Sequence, residues 1–352
     1  MTGSNLRVTR TEKVKIATVY AVLAAVTAFS FLAASIIGRV SPVLAGLGIV
    51  AYVLGLRHGV DADHIAAIDN TTRKLIQQGK PRFDVGTWFS LGHSTIVVGL
   101  IAAIVFATRT IIGKIPSLQN WGTIFGTLVS GLFLLVIGFI NLLIVFGVYR
   151  LFKEARQGKV NEEQLEEYMI NRGFLNRLFR PLFKFVNDSW QIYPVGVLFG
   201  LGFDTATEVA LIAITVGIGV SSSVPLWQIL VLPLLFTCGM VLTDTTDGVA
   251  MRCAYAWAFL TPVKKIFYNL TVTAMSVLVA FVIGGIELVQ VLSMELHLNR
   301  GFWGWLNNLD FETMGFVIIG VFILTWAAAY CIWKFRKYDQ DPSRLIDFSA
   351  DQ

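Results

Sequence analysis

Eight apolar runs dominate the chain, and shorter polar segments separate them. Each run holds at least about 20 residues, the length that an α-helix needs to cross the hydrocarbon core of a bilayer. We therefore predict an all-α polytopic membrane protein with eight transmembrane helices, here called spans 1 to 8, over residues 14–38, 43–69, 86–108, 121–149, 192–219, 226–252, 266–292 and 311–335. Several runs exceed the minimum length, which indicates either a tilted or a broken helix.

The longest polar segment, 150–191, divides the spans into two sets of four. We expect a single membrane domain over 1–352. It would consist of spans 1–4 within 1–149, a cytoplasmic loop over 150–191, and spans 5–8 with a cytoplasmic tail within 192–352.

Two short motifs recur in the two sets of spans. Gly59-Val60-Asp61 in span 2 resembles Gly202-Phe203-Asp204 in span 5, and Phe89–His93 in span 3 resembles Phe236–Met240 in span 6. Spans 2 and 5 run in opposite directions in the predicted topology. The matches therefore suggest an inverted repeat that relates spans 2–4 to spans 5–7, with a binding site where the repeats meet.

Composition supports the membrane assignment, and charge indicates the orientation. Charged residues make up only 14% of the chain, whereas a soluble domain carries roughly a quarter. With a cytoplasmic N-terminus, 23 of the 28 lysines and arginines lie in cytoplasmic segments, 4 in outer segments and Arg57 within span 2. This asymmetry follows the positive-inside rule and places both termini in the cytoplasm. The net charge of +5 therefore reflects orientation rather than nucleic-acid binding.

Span 2 carries the most unusual chemistry of the chain. Two of the four histidines and two aspartates occur in one run, Arg57-His58-Gly59-Val60-Asp61-Ala62-Asp63-His64. Ionisable groups at membrane depth are costly, and they tend to be paired and functional. On a continuous helix, His58, Asp61 and His64 fall within about 120° of one another, whereas Asp63 points elsewhere. We interpret this run as a metal-binding site.

Three other spans place polar groups at a similar depth. Span 3 contributes His93, span 5 contributes Asp204 and Glu208, and span 6 contributes Asp244 and Asp247. His93 is either a ligand or a hydrogen-bonding partner for a neighbouring helix, and the span 5 carboxylates are either ligands or a proton relay. The candidate metal-binding residues are thus His58, Asp61, Asp63, His64, His93, Asp204, Glu208, Asp244 and Asp247.

The donor set narrows the choice of metal ion. Imidazole with carboxylate suits a first-row divalent transition metal better than Mg²⁺ or Ca²⁺, which prefer oxygen ligands alone. None of these motifs contains a thiol, so Cu(I) is disfavoured. Nickel or cobalt fits best, and zinc, iron and manganese remain open.

The four polar motifs together resemble the signatures of the nickel/cobalt transporter (NiCoT) family. The first matches its His-x4-Asp-His signature, and the others stand in the expected order: Leu91-Gly92-His93-Ser94-Thr95, Leu201–Glu208 and Gly239–Gly248. The chain departs from the family at Gly59, where alanine is more common. This affects the stiffness of the helix more than ligation.

The resemblance implies an eight-helix permease of the bacterial cytoplasmic (inner) membrane that takes up Ni²⁺ and/or Co²⁺ with high affinity. It implies that His58, Asp63 and His64 are essential and that His93 tunes affinity or selectivity. The metal ion would be a transported substrate, with no cofactor, no enzymatic activity and no nucleic-acid partner. Neither the preference between the two metals nor the oligomeric state follows from the sequence.

Two other functions compete with uptake. An exporter of these metals often carries a His-rich loop, but 150–191 contains no histidine. The inside-negative potential also favours inward transport of a divalent cation by about 4.6 kcal/mol per 100 mV. A membrane metalloenzyme would need His-rich boxes or a His-Glu-x-x-His motif, and the chain has neither.

Overall fold

A computed structural model describes residues 9–38, 42–106, 115–156, 186–201, 206–221, 225–258 and 262–335. Every regular element in these ranges is a helix, which confirms the all-α prediction. In chain order the helices are α1 (Arg10–Gly38), α2 (Pro42–His58), α3 (Ala62–Gln77), α4 (Val85–Phe106), α5 (Ile115–Arg156), α6 (Tyr193–Phe199), α7 (Ala206–Ser221), α8 (Leu226–Ile229), α9 (Val231–Ala258), α10 (Pro262–Glu295), α11 (Phe302–Asn307) and α12 (Phe311–Phe335), with a short 3-10 helix, Ser189–Ile192, before α6. The predicted loop 150–191 lies mostly outside the described residues.

Five stretches of the described chain are long and apolar enough to cross a membrane: Arg10–Gly38, Val85–Ala103, Thr123–Gly147, Trp227–Ala254 and Thr273–Glu295. The bent pair α2–α3 forms a sixth if it is counted as one span. The chain is therefore a multi-pass membrane protein. Predicted span 5 is divided between α6 and α7, and α12 contains a shorter apolar stretch, Thr313–Ala329. The number of eight spans stays a prediction.

Span 2 is a broken helix rather than a tilted one. α2 ends at His58, α3 begins at Ala62, and the two helices are bent by 52°. The backbone tightens at the break, where the Asp61 amide donates to the His58 carbonyl oxygen (3.0 Å). Asp63 then lies in the first turn of α3, where a carboxylate is favoured by the helix dipole. Of the two alternatives for span 2, the structure has the break, so the face calculated for a continuous helix does not extend across it.

The backbone of α12 packs directly against this break. A Cβ atom on Gly315 would overlap the Val60 carbonyl oxygen, whereas a Cβ atom on Gly320 of the same helix would meet nothing within 4 Å. Only glycine permits such an approach of two backbones.

We expect Gly315→Ala to lower the thermal unfolding temperature of the detergent-purified protein, because overpacking typically costs about 1–3 kcal/mol. Gly320→Ala, the matched control on the same helix, should unfold like the parent. Equal unfolding temperatures for the two variants would contradict the contact between α12 and the break.

α3 continues beyond predicted span 2 and carries two cations there. Arg73 and Lys74 are fully buried. Arg73 donates to Thr273 Oγ1 of α10 (3.0 Å), and Lys74 donates to the Val186 carbonyl oxygen (3.0 Å). Buried charges need such partners, and these partners come from segments that are distant in sequence.

The segment before α6 is attached to the connection between α3 and α4. Arg82 Nε lies 2.8 Å from Asp188 Oδ1, and the Asp188 side chain also accepts from the Ser189 amide at the start of the 3-10 helix. Partial burial disfavours ionisation of Asp188. The hydrogen bonds from Arg82 and Ser189 and the Arg82 charge outweigh it and hold the pKa of the carboxyl below its usual value.

Two helix contacts are built alike in the two halves of the chain. A Cβ atom on Gly55 of α2 would overlap the Phe236 carbonyl oxygen of α9, and a Cβ atom on Gly196 of α6 would overlap the Phe89 carbonyl oxygen of α4. Gly196 follows Gly55 by 141 residues, and Phe236 follows Phe89 by 147. α2 thus packs on α9 as α6 packs on α4.

The reciprocal contacts follow the same two offsets. A Cβ atom on Gly239 of α9 would overlap the Tyr52 carbonyl oxygen, and a Cβ atom on Gly92 of α4 would overlap the Tyr193 carbonyl oxygen. Each interface therefore uses one glycine from each helix, at corresponding positions.

A third pair of contacts shows which residues of α2 and α6 correspond to each other. A Cβ atom on Gly59 would lie 3.1 Å from the Met240 carbonyl oxygen, and one on Gly200 would lie 2.7 Å from the His93 carbonyl oxygen. Gly59 thus corresponds to Gly200, two residues away from the pairing with Gly202 that the sequence motifs suggest.

Candidate metal centre

Three imidazoles meet in the interior at the break in span 2. His58 ends α2, His64 lies in the first turn of α3, and His93 lies in α4. Their exposed fractions are 1%, 1% and 3%. One ring nitrogen of each lies within 4.8 Å of a ring nitrogen of the other two, and the Nε2 atoms of His58 and His93 are 3.2 Å apart. The predicted convergence of spans 2 and 3 is therefore present.

One carboxylate faces the same point. Glu208, in the first turn of α7, places Oε1 2.7 Å from His93 Nε2 and 3.7 Å from His58 Nε2. The Glu208 side chain is buried, so its charge has little contact with water. Span 5 thus joins spans 2 and 3 at this centre.

Two further carboxylates lie behind the imidazoles. Asp61 Oδ2 is 3.0 Å from His58 Nδ1, and Asp244 Oδ2 is 3.2 Å from His64 Nδ1. A proton on Nδ1 lets the His64 ring donate to Asp244 and leaves its Nε2 lone pair for an ion, whereas Asp61 acts on His58 through its charge at close range. This arrangement of carboxylate behind histidine is common at metal sites, where it sets the tautomer and ring orientation of the ligand.

The donor spacing suits one transition-metal ion. Three nitrogens bound at about 2.1 Å lie about 3.0–3.4 Å from one another. The His58–His93 pair already has this spacing. His64 Nε2 is buried, and within the described ranges it has no hydrogen-bond partner. A small movement of His64 would complete a three-nitrogen set, with Glu208 supplying an oxygen.

Asp63, Asp247 and Asp204 complete the predicted set of site residues, and the first two lie within the described ranges. Asp63 is partly exposed, and its Oδ1 accepts from the His64 amide (2.8 Å). Asp247 lies about one turn beyond Asp244 on α9. Asp204 lies outside the described residues.

The sequence-based reasoning missed three residues at the centre. Thr207 Oγ1 lies 3.3 Å from His58 Nδ1. The Phe236 ring lies 5.5 Å from the His58 ring, and the Phe89 ring lies 4.8 Å from the His64 ring, between centroids. The sequence signal for the two phenylalanines was the recurring segment that each of them begins, Phe89–His93 and Phe236–Met240.

Comparisons with known proteins bear on this geometry. Residues 44–332 match the profile of a family described as high-affinity nickel-transport protein. The chain belongs to this family. The match covers most of the chain and includes all four polar motifs. It confirms the resemblance to nickel and cobalt transporters and the prediction of a transporter rather than an enzyme.

Several curated relatives of this nickel-transport family match over most of their own length. The chain is 45% identical to a high-affinity nickel transport protein of Cupriavidus necator, over 98% of this chain and 99% of the relative. It is 46% identical to the nickel transporter NicT of Mycobacterium tuberculosis, over 84% and 80%. It is 35% identical to the cobalt transport protein NhlF of Rhodococcus rhodochrous, over 81% and 82%. No solved structure matches the chain.

Proposed function

We propose that this protein takes up Ni²⁺ across the bacterial cytoplasmic membrane through eight spans, with both termini in the cytoplasm. The observation that carries the proposal is the set of three buried imidazoles and one carboxylate that meet inside a membrane protein. Ionisable groups inside a membrane protein are costly, and such groups often mark the pathway of an ion. Membership of the nickel-transport family and the names of the relatives support nickel as that ion.

Each site residue then has a role. His58, His64, His93 and Glu208 bind the ion directly. Asp61 and Asp244 orient His58 and His64 through Nδ1. Asp63 acts at the start of α3, where its carboxylate holds the His64 backbone. Asp204 and Asp247 belong to the path by which the ion reaches or leaves the centre.

Transport requires that the centre open to one side at a time. We infer that spans 2–4 and 5–7 form an inverted repeat whose halves rock around the centre. The matched glycine contacts support this. An offset of 141 residues relates α2 to α6, an offset of 147 relates α4 to α9, and the contact of α2 with α9 then corresponds to the contact of α6 with α4. Binding at the meeting point of two inverted repeats is common among secondary transporters.

Uptake of ⁶³Ni²⁺ tests the proposal directly. Cells that lack their own nickel uptake system would express the chain, and accumulation would be measured at submicromolar Ni²⁺. We expect accumulation above cells with the empty vector. Unlabelled Co²⁺ should compete with it, because one relative is named as a cobalt transporter and the nitrogen and oxygen donors suit both metals. Accumulation equal to that of the empty vector would refute the proposal.

We expect Asp244→Asn to raise the Ni²⁺ concentration for half-maximal uptake about 10–100-fold, because loss of a group behind a metal-binding histidine typically costs that much in affinity. The matched control is Glu295→Gln, since Glu295 is exposed at the end of α10. An unchanged half-maximal concentration in Asp244→Asn would contradict the orienting role.

A further inference from the structure

Two phenylalanines occupy corresponding positions in the two halves of the chain. Phe89 of α4 and Phe236 of α9 are both 0% exposed. The backbone carbonyl of each packs against a glycine of the other half, Gly196 for Phe89 and Gly55 for Phe236. The twofold relation that we propose therefore exchanges these two residues.

Their rings cover the metal centre from two directions. The Phe236 ring lies 5.5 Å from the His58 ring at an interplanar angle of 34°, and the Phe89 ring lies 4.8 Å from the His64 ring at 88°. Phe89 also packs against Phe199 at 5.1 Å, and Phe199 is the residue that corresponds to His58. The contacts Phe236–His58 and Phe89–Phe199 are thus equivalent, although only one contains an imidazole.

The two rings lie at different depths. Gly86, near the start of α4, packs against the carbonyl oxygen of Asp244 in α9, so these two residues share a level. Phe89 lies three residues outward of that level and Phe236 eight residues outward in the proposed topology. At about 1.5 Å per residue, Phe236 is about 7–8 Å nearer the outside than Phe89. The outer ring, Phe236, contacts His58, and the inner ring, Phe89, contacts His64.

We propose that Phe236 closes the metal centre toward the outside and Phe89 closes it toward the cytoplasm. The proposal rests on the function proposed above, since it assigns the two gates of that transport cycle. Both rings contact the histidines in this structure, and the three histidines are nearly completely buried. Rocking of one half moves one ring aside and leaves the other in place.

Labelling of an introduced thiol tests the gates. Cys238, Cys253 and Cys331 would be replaced by serine, and Thr207→Cys would place a thiol beside His58. A membrane-impermeant cationic methanethiosulfonate would be applied to right-side-out and inside-out vesicles. We expect Phe236→Ala to speed labelling at least about tenfold from the outside only. Phe89→Ala should do so from the cytoplasmic side only.

Leu91→Ala and Leu234→Ala are the matched controls, because these residues stand on the same two helices with exposed side chains. They should label like the Thr207→Cys parent from both sides. Phe89→Leu and Phe236→Leu serve if an alanine variant does not fold, and smaller increases with the same sidedness are expected. Labelling from the same side in both variants, the reverse sidedness, or no change would overturn the gates.

The two proposals fail in different ways. Uptake of ⁶³Ni²⁺ by the chain with its three cysteines and Thr207 in place tests transport alone. Labelling is measured without any metal ion. Normal uptake with an overturned labelling pattern refutes the gates and leaves the transport proposal standing, whereas absent uptake refutes transport itself.

Discussion

Replacing His64 with alanine should lower the Ni²⁺ uptake rate below about one hundredth of the parental rate. His64 Nε2 is a buried nitrogen without a hydrogen-bond partner among the described residues, and its other nitrogen is held by Asp244. Removing the ring takes away one of three nitrogen donors. Even the loss of a group that only orients such a ligand costs about 10–100-fold, so the loss of the ligand itself should cost more. His58→Ala should behave in the same way.

His297 offers the matched control for this result. It is exposed, lies in the turn after α10 and has a φ of 53°, so His297→Asn keeps a residue type that tolerates this conformation. This variant should transport like the parent. Membrane content and elution from a sizing column would establish that His64→Ala is folded. Parental uptake by folded His64→Ala would contradict the assignment of the centre.

Gly55→Ala should cause the second large effect. The added methyl group would overlap the Phe236 carbonyl oxygen, which cannot move without shifting α9. Overpacking of this kind costs about 1–3 kcal/mol. The shift also separates α2 from α9 one turn from His58, so we expect both a lower unfolding temperature and uptake reduced at least about tenfold.

The corresponding substitution, Gly196→Ala, tests whether the two halves are equivalent. It should cause a similar loss, because its Cβ atom would overlap the Phe89 carbonyl oxygen. Gly46→Ala is the control, since Gly46 lies on α2 with nothing within 4 Å of the added atom. If Gly55→Ala and Gly46→Ala unfold and transport alike, the close contact between α2 and α9 is refuted.

The site shows how far residue types and spacing lead. Charged and imidazole groups in apolar runs carry a strong signal because burial without a partner is costly, and this signal alone marked His58, His64, His93 and Glu208 as candidates. The roles of the aspartates were harder to predict. Helical geometry placed Asp61 with the histidines, but the break turns it to the far side of the His58 ring.

The break itself depends on residues that are far apart in sequence. The length of span 2 indicated either tilt or a break, and Gly59 permits both. Gly315, more than 250 residues later, packs on the Val60 carbonyl oxygen at the break. The burial of Arg73 and Lys74 also depends on distant residues, because their hydrogen-bond partners are Thr273 of α10 and Val186.

The sequence by itself determined the membrane environment, the all-α architecture and the family, and it predicted the chemical class of the site. The membrane environment and the class of site follow from the cost of placing charge in hydrocarbon, which acts on each residue separately. The helices follow from the need to pair every backbone group in lipid, and the family follows from the four motifs. Only the tertiary structure decided which nitrogen faces the centre, which carboxylate stands behind each ring, and that Phe89 and Phe236 pack against the histidines. Those outcomes depend on contacts between helices that are more than a hundred residues apart in sequence, and the sequence of one span does not specify which helix packs against it.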